Sequence, residues 1–270
     1  MIEPQLVNNT PHTIETSAQD ALLRLAESYE ARIRIEQYCS GTQNMEHDIA
    51  LAADAANAHG LILIRLYSWK PWCISLGMNQ KETDIDIVKC RNEGIDVVRR
   101  PTGGRAVFHA RELTYSFAMQ LQGGISHHDV YAGFHAILLN AVRSLGAQGA
   151  GFEQSQPNFA ELYSNNHDTL SCFASSARYE LTSGGKKLVG SAQRKYGTVL
   201  LQHGSLLLDS GFERLAEFNA GLNDDQRESF AETVRTKAVT LSQITGRKIG
   251  FQECAAAIMN ELQRVVAIRT

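Results

Sequence analysis

The stretch RRPTGGRAVFH, residues 99–109, sets Arg99, Arg100, Arg105 and His109 around two adjacent glycines, Gly103 and Gly104. Glycine has no Cβ, so it tolerates positive φ and lets another group approach the backbone. The N–H groups there can then meet an anion or a carbonyl oxygen. Arginines gathered at one place repel each other unless solvent or a counter-ion balances them. The segment reads either as a solvated turn or as backbone built to pass close to an anionic or carbonyl-bearing group. A second stretch, GKKLVGS (185–191), combines Lys186 and Lys187 on a strand with the small pair Gly190–Ser191. The two lysines alternate across the strand, so only one can face a site.

Five cysteines stand at Cys39, Cys73, Cys90, Cys172 and Cys254, with no C-x-x-C pair. Their odd number and scatter argue for reduced thiols in a cytoplasmic setting and against a structural zinc site, and no metal is expected. A free thiol is commonly a small buried apolar group. Cys172, in LSCFAS, has the neighbourhood most suggestive of more than that. At its ordinary pKa a thiol is only about 3% thiolate at pH 7, and a nearby lysine or arginine raises that fraction. His109 and His203 are candidate partners, though a lone histidine on a strand is more often structural.

Composition bounds what surrounds these groups. The chain has 270 residues, 43% hydrophobic and 20% charged, with a formal net charge of −3. That is one large domain with a sizeable core, and not a chain built to coat nucleic acid. No secretory signal is read at the start, and the apolar run LILIRLY (61–67) is too short to span a bilayer. Walker A, G-x-G-x-x-G, G-x-S-x-G and H-E-x-x-H motifs are absent.

The elements that must position the site follow from periodicity. Residues 13–29 read as an amphipathic helix with Ile14, Ala18, Leu22, Leu25 and Tyr29 on one face, an extension docked on the rest. ARIRIEQY reads as a strand with Ile33, Ile35 and Tyr38 on its apolar side. NMEHDIALAADAANA reads as a helix capped by Asn44, with Met45, Ile49, Ala52 and Ala56 inward. A short helix capped by Thr83 ends at Gly94, and strands follow at IDVVRR, AVFH and LTYSFAMQL. HHDVYAGFHAILLNAVRSLG is the clearest helix, and Gly184–Gly185 is a hairpin turn signal. From residue 211 the chain reads as helical. The expectation is an α+β fold, a mixed or antiparallel sheet flanked by helices, divided as a helical extension over 1–32 and a catalytic domain over 33–270.

RRPTGGRAVFHARELTYS (99–116), SCFASSARYEL (171–181) and GGKKLVGSAQRKYGTVLLQHGSLLLD (184–209), taken in order, resemble the biotin/lipoate protein ligase and octanoyltransferase superfamily, whose catalytic domain is class II synthetase-like. The similarity is greatest to its LipM-type octanoyltransferase branch and runs over roughly 35–260. The resemblance implies octanoyl transfer in lipoate biosynthesis, from octanoyl acyl carrier protein to the lysine of a lipoyl domain such as a glycine cleavage H protein or a 2-oxoacid dehydrogenase E2. Cys172 matches the acyl-carrying thiol and Lys187 the essential lysine. Arg100, Gly103, Gly104, Arg105 and His109 match the loop lining the acyl site, with Gly190, Ser191 and His203 around it. Arg99, Arg111, Arg178, Arg194 and Lys195 are left to dock an acidic carrier. No tightly bound cofactor is implied, nor any nucleic-acid or membrane partner.

ATP-dependent lipoate ligases resemble the chain in the same places, but usually carry a third glycine where Arg105 stands and often lack the cysteine. The chain has no room after residue 260 for a ligase accessory domain. A lipoyl amidotransferase shares the same cysteine logic, and a non-catalytic carrier- or lipoyl-domain-binding protein is a further alternative. The extension at 1–32 and His47 depart from the family pattern.

Overall fold

A computed structural model describes residues 11–153, 173 and 179–269. Its centre is a five-stranded mixed sheet in the order β1 (Glu30–Cys39), β2 (Leu61–Trp69), β6 (Glu112–Gln120), β11 (Val199–Leu207), β10 (Val189–Tyr196). The first pair is parallel and the others are antiparallel. Strands β2, β6 and β11 are buried almost throughout because both faces are covered, and the polar residues they carry, Thr114, Gln202 and His203 among them, are buried with them.

One face is covered by α1 (Pro11–Ser28), α4 (His127–Ser144) and the long helix near the C-terminus, Phe251–Val265. Ile14, Ala18, Leu22, Leu25 and Tyr29 of the first of these are all buried in that shared core, as the periodicity predicts. The other face takes α2 (Gly41–Ala55) and a small sheet ordered β4 (Asp96–Arg99), β3 (Cys73–Leu76), β5 (Val107–His109). A third sheet joins β7 (Ala150–Phe152), β8 (Leu181–Ser183) and β9 (Lys186–Lys187). Gly184 and Gly185, at φ 56° and 73°, make the expected tight turn between the last two. Among the described residues the remaining α-helices are α3 (Ile87–Asn92), α5 (Asp224–Lys237) and α6 (Leu241–Thr245), which makes Phe251–Val265 α7.

Three local expectations are corrected. Strand β1 lies at the sheet edge, so Ile35 and Tyr38 are exposed rather than inward. Helix α2 starts earlier, capped by Ser40 in a capping box with Gln43. Its inward face is accordingly Asn44, Asp48, Leu51 and Ala55 alongside Met45, while Ile49 is exposed. The cap of α3 is Asp86, whose side chain accepts from the Lys89 N–H, and not Thr83.

Candidate active site

The 99–109 segment folds over β3 as a turn stapled from within. Arg100 is 4% exposed. Its Nη1 donates to the Ser75 carbonyl and hydroxyl oxygens at 2.8 and 3.2 Å, while Nε and Nη2 donate to the carbonyls of Gly103 and Arg105. Arg99 Nη1 donates to the carbonyls of Gly77, Met78 and Gln80. These two guanidinium groups are used to shape the loop, which answers how like charges can cluster there: each is neutralised in part by carbonyl dipoles. Gly104 takes φ +91°, but Gly103 lies outside the positive-φ region. The close backbone approach is made by Gly77, where a Cβ would overlap the Gly104 carbonyl oxygen.

Beneath this turn is a small, partly open cleft. Its walls include Met45, Tyr67, Trp69 and Val107, with the polar groups Ser75, Arg100, His109, Ser191, His203 and Ser205. Gly190 and Gly204 complete it, and a Cβ on Gly204 would run into Ser191 Oγ and the Tyr115 ring. Apolar walls with a few convergent polar groups suit a ligand that is largely hydrocarbon with one polar end.

Two buried carboxylate–imidazole–hydroxyl strings end in or beside the cleft. In one, Glu112 Oε1 is 2.7 Å from His109 Nδ1, and His109 Nε2 is 2.7 Å from Ser75 Oγ. In the other, Asp48 Oδ2 is 3.2 Å from His203 Nδ1, and His203 Nε2 is 2.5 Å from Thr102 Oγ1 in the glycine turn. Asp48 also receives Arg65 Nη1 at 2.6 Å and the Tyr67 hydroxyl at 3.1 Å. Burial opposes the Asp48 charge, but His203 and Arg65 outweigh it and hold its carboxyl below the usual range. Burial pushes the His203 imidazole down against the pull of Asp48, and in the neutral ring the Nδ1 proton faces Asp48.

Lys187 stands on β9, 2% exposed, whereas Lys186 is exposed. The Lys187 ammonium is 2.9 Å from Glu180 Oε2 and 5.8 Å from the Phe173 ring centroid. It is not one of the cleft-lining residues. The link between the two places is His135 of α4, fully buried. His135 Nδ1 is 2.6 Å from the Tyr179 carbonyl, and Nε2 is 2.9 Å from Ser191 Oγ in the cleft wall. Tyr115 and Gln202 continue that network. Burial brings the His135 imidazole down to about 4, with the Lys187 charge acting in the same direction.

The structure thus brings Arg100, His109, Gly190, Ser191 and His203 to one cleft under the turn of Gly103, Gly104 and Arg105, with Lys187 behind its wall. Cys172 and Arg178 lie outside the described residues. Arg99 and Arg194 meet at Met78, Arg194 donating to its sulfur and to the Pro101 carbonyl. Lys195 follows Arg194 on β10 and is exposed, its charge acting on His127 at the start of α4, whereas Arg111 stands apart over the Trp72 ring. Sequence reasoning missed Ser75, Thr102, Glu112, His135 and Glu180. It also missed Asp48, although Asn44, Asp48, Leu51 and Ala55 at helical spacing were the signal for an inward polar pair.

Among the described residues one trio has metal-ligand types close together: Glu36, Cys39 and His47. Arg65 already donates to Glu36 Oε2 at 2.8 Å and to His47 Nδ1 at 3.1 Å, the lone pairs a cation would need. No helix among the described residues is long and apolar enough to cross a membrane.

A family model for the lipoyl protein ligase A/B catalytic domain matches residues 40–263. The chain is similar to the octanoyltransferase LipM of Clostridioides difficile, 36% identical over 77% of each chain. It is also similar to that of Carboxydothermus hydrogenoformans, 33% identical over 84% of this chain and 83% of the relative. Among solved structures, the bipartite lipoate protein ligase of Thermoplasma acidophilum superposes with a TM-score of 0.64 at 17% identity, over 90% of this chain and 88% of that one. At that identity the likeness speaks for the fold.

Proposed function

Because this chain belongs to the lipoyl protein ligase A/B catalytic-domain family, we propose that it is an octanoyltransferase of lipoate biosynthesis working through a cysteine thioester. Its acceptors are lysines of lipoyl-domain proteins and its donor is octanoyl acyl carrier protein. The Cys172 thiolate attacks the donor thioester, giving an acyl-enzyme and free carrier thiol. This exchange of one thioester for another is close to neutral in energy, so no ATP enters. A lipoyl-domain lysine amine then attacks, and amide formation makes the second step downhill.

The observation that carries this reading is the position of Lys187. The Lys187 side chain is buried, and its ammonium lies 5.8 Å from the ring of Phe173, the residue that follows Cys172 in the chain. A fixed cation there favours thiolate and the developing oxyanion. The apolar walls of the cleft under the glycine turn suit a hydrocarbon chain, and the polar groups that converge there, Ser75, Arg100 and His109 among them, suit its carbonyl end. Glu180 holds the ammonium in place, and His135 ties the cleft wall to the Tyr179 backbone on the same segment.

The test is intact mass after mixing the protein with octanoyl acyl carrier protein without ATP. One octanoyl adduct, released by hydroxylamine, is expected, and Cys172→Ala should lose both the adduct and nearly all turnover. Transfer by Cys172→Ala at near the wild-type rate, or a strict need for ATP, overturns the cysteine mechanism in favour of the ligase reaction.

A further inference from the structure

Ser75 and His109 sit on the neighbouring antiparallel strands β3 and β5, and both line the cleft. Their 2.7 Å contact has a defined direction. Glu112 Oε1, beside His109 Nδ1, can only accept, and it accepts again from Thr114 at 2.5 Å and Ser205 at 2.9 Å. In the neutral imidazole this puts the proton on Nδ1 and leaves the Nε2 lone pair facing the Ser75 hydroxyl. Trp69 stacks on the imidazole with centroids 4.0 Å apart and donates its Nε1 proton to Thr114, which fixes the ring plane. Arg100 Nη1 donates to Ser75 Oγ, occupying one lone pair while the serine proton points at His109. The other Glu112 oxygen is buried with no hydrogen-bond partner among the described residues. Buried polar atoms without partners are rare and costly in a scaffold, and a desolvated carboxylate is at its most effective when the ring beside it takes up a proton.

We propose that Ser75, His109 and Glu112 form the proton relay of the amine step, Ser75 meeting the incoming nitrogen and the other two acting through it. The proposal rests on the acyl-transfer reading above. A neutral lysine amine attacks the acyl-enzyme carbonyl, and the new C–N bond leaves a positive charge on nitrogen. While that proton stays, the amine is a good leaving group and the adduct reverts. Ser75 Oγ accepts the proton as its own passes to His109 Nε2, and Glu112 balances the resulting imidazolium. The C–S bond then breaks, the departing thiolate takes the proton back through the relay, and one amide and one thiol result. The carrier-to-cysteine exchange forms no N–H bond and needs no such acceptor.

The experiment separates the two halves with octanoyl acyl carrier protein in single turnover, following adduct formation and then its decay on addition of a lipoyl domain. His109→Asn keeps an N–H for Glu112 but loses the acceptor nitrogen, and Ser75→Ala removes the shuttle with little change in volume. In both variants the decay rate constant should fall about 100-fold or more relative to that for adduct formation. Adduct formation at a measurable rate itself reports a folded protein. Equal slowing of both halves overturns the relay and makes the string structural. Decay unchanged in Ser75→Ala also overturns it, as does an octanoyl group found on Ser75. If wild-type protein forms no adduct at all, it is the covalent reading that has failed, and the relay falls with it.

Discussion

The Lys187 ammonium and the Glu180 carboxylate face each other at 2.9 Å with both side chains about 4% exposed or less. Removing one partner of such a pair strands the other charge away from water, which costs about 3–5 kcal/mol. Lys187→Ala should therefore lower the free energy of unfolding by about that much, and Lys186→Ala, on the exposed face, by less than about 0.5 kcal/mol. Urea unfolding of both variants measures this. Small and equal losses would mean that the strand presents neither lysine to the interior. Activity losses in Lys187→Ala must be read at temperatures where the variant is folded.

Acid sensitivity should trace in part to His135. Burial puts its imidazole at about 4 in the folded chain, against about 6.5 when unfolded. Between those values the unfolded state binds more protons, so stability falls as pH falls. The contribution is complete above about pH 6.5 and lost by about pH 4, a total of about 3 kcal/mol. His135→Asn retains a donor for the Tyr179 carbonyl and removes the titration. Its stability should fall less steeply over that window than the wild type, and parallel curves would show that His135 is not buried neutral.

The glycines of the turn should respond unequally to alanine. Gly104→Ala places a side chain at φ +91°, and Gly77→Ala drives a Cβ into the Gly104 carbonyl. Each should cost at least about 1 kcal/mol. Gly103→Ala meets nothing within 4 Å and should stay within about 0.5 kcal/mol. Thermal unfolding of the three variants ranks them, and a Gly103→Ala loss as large as the others would contradict the turn geometry.

Carrier capture should be electrostatic, because Arg99 and Arg194 meet beside the turn, Lys195 is exposed next to Arg194 on β10, and acyl carrier proteins are acidic. Raising salt from about 50 to about 500 mM shrinks the Debye length from about 14 to about 4 Å. The loss should appear in kcat/KM for the octanoyl carrier more than in kcat, and a pantetheine donor should show little of it. Arg194→Glu combined with Lys195→Glu should reproduce the high-salt behaviour at low salt. Identical salt responses of the two donors would reduce these residues to a solvated face.

Local rules made several elements legible in the residues alone. The Gly184–Gly185 turn follows from positive φ, the opposite facing of Lys186 and Lys187 from strand alternation, and the apolar stripe of α1 from helical period, while the choice of Lys187 as the inward lysine came from the family resemblance. All three depend on neighbours a few residues apart, which sequence displays directly. Strand β1 and helix α2 misled for the converse reason: whether an apolar face is covered depends on edge or central placement, and a polar face turns inward only when a distant partner awaits it. Asp48 is inward because Arg65 and His203 are there, and neither is local to it. The same holds for the site. Ser75 meets His109 through the β3–β5 register, and Lys187 meets Glu180 through the β8–β9 hairpin and its approach. Sequence named the reactive types and the flexible turn. Tertiary structure alone decided which carboxylate backs which imidazole, because strand register and sheet order, which pattern does not encode, set those distances.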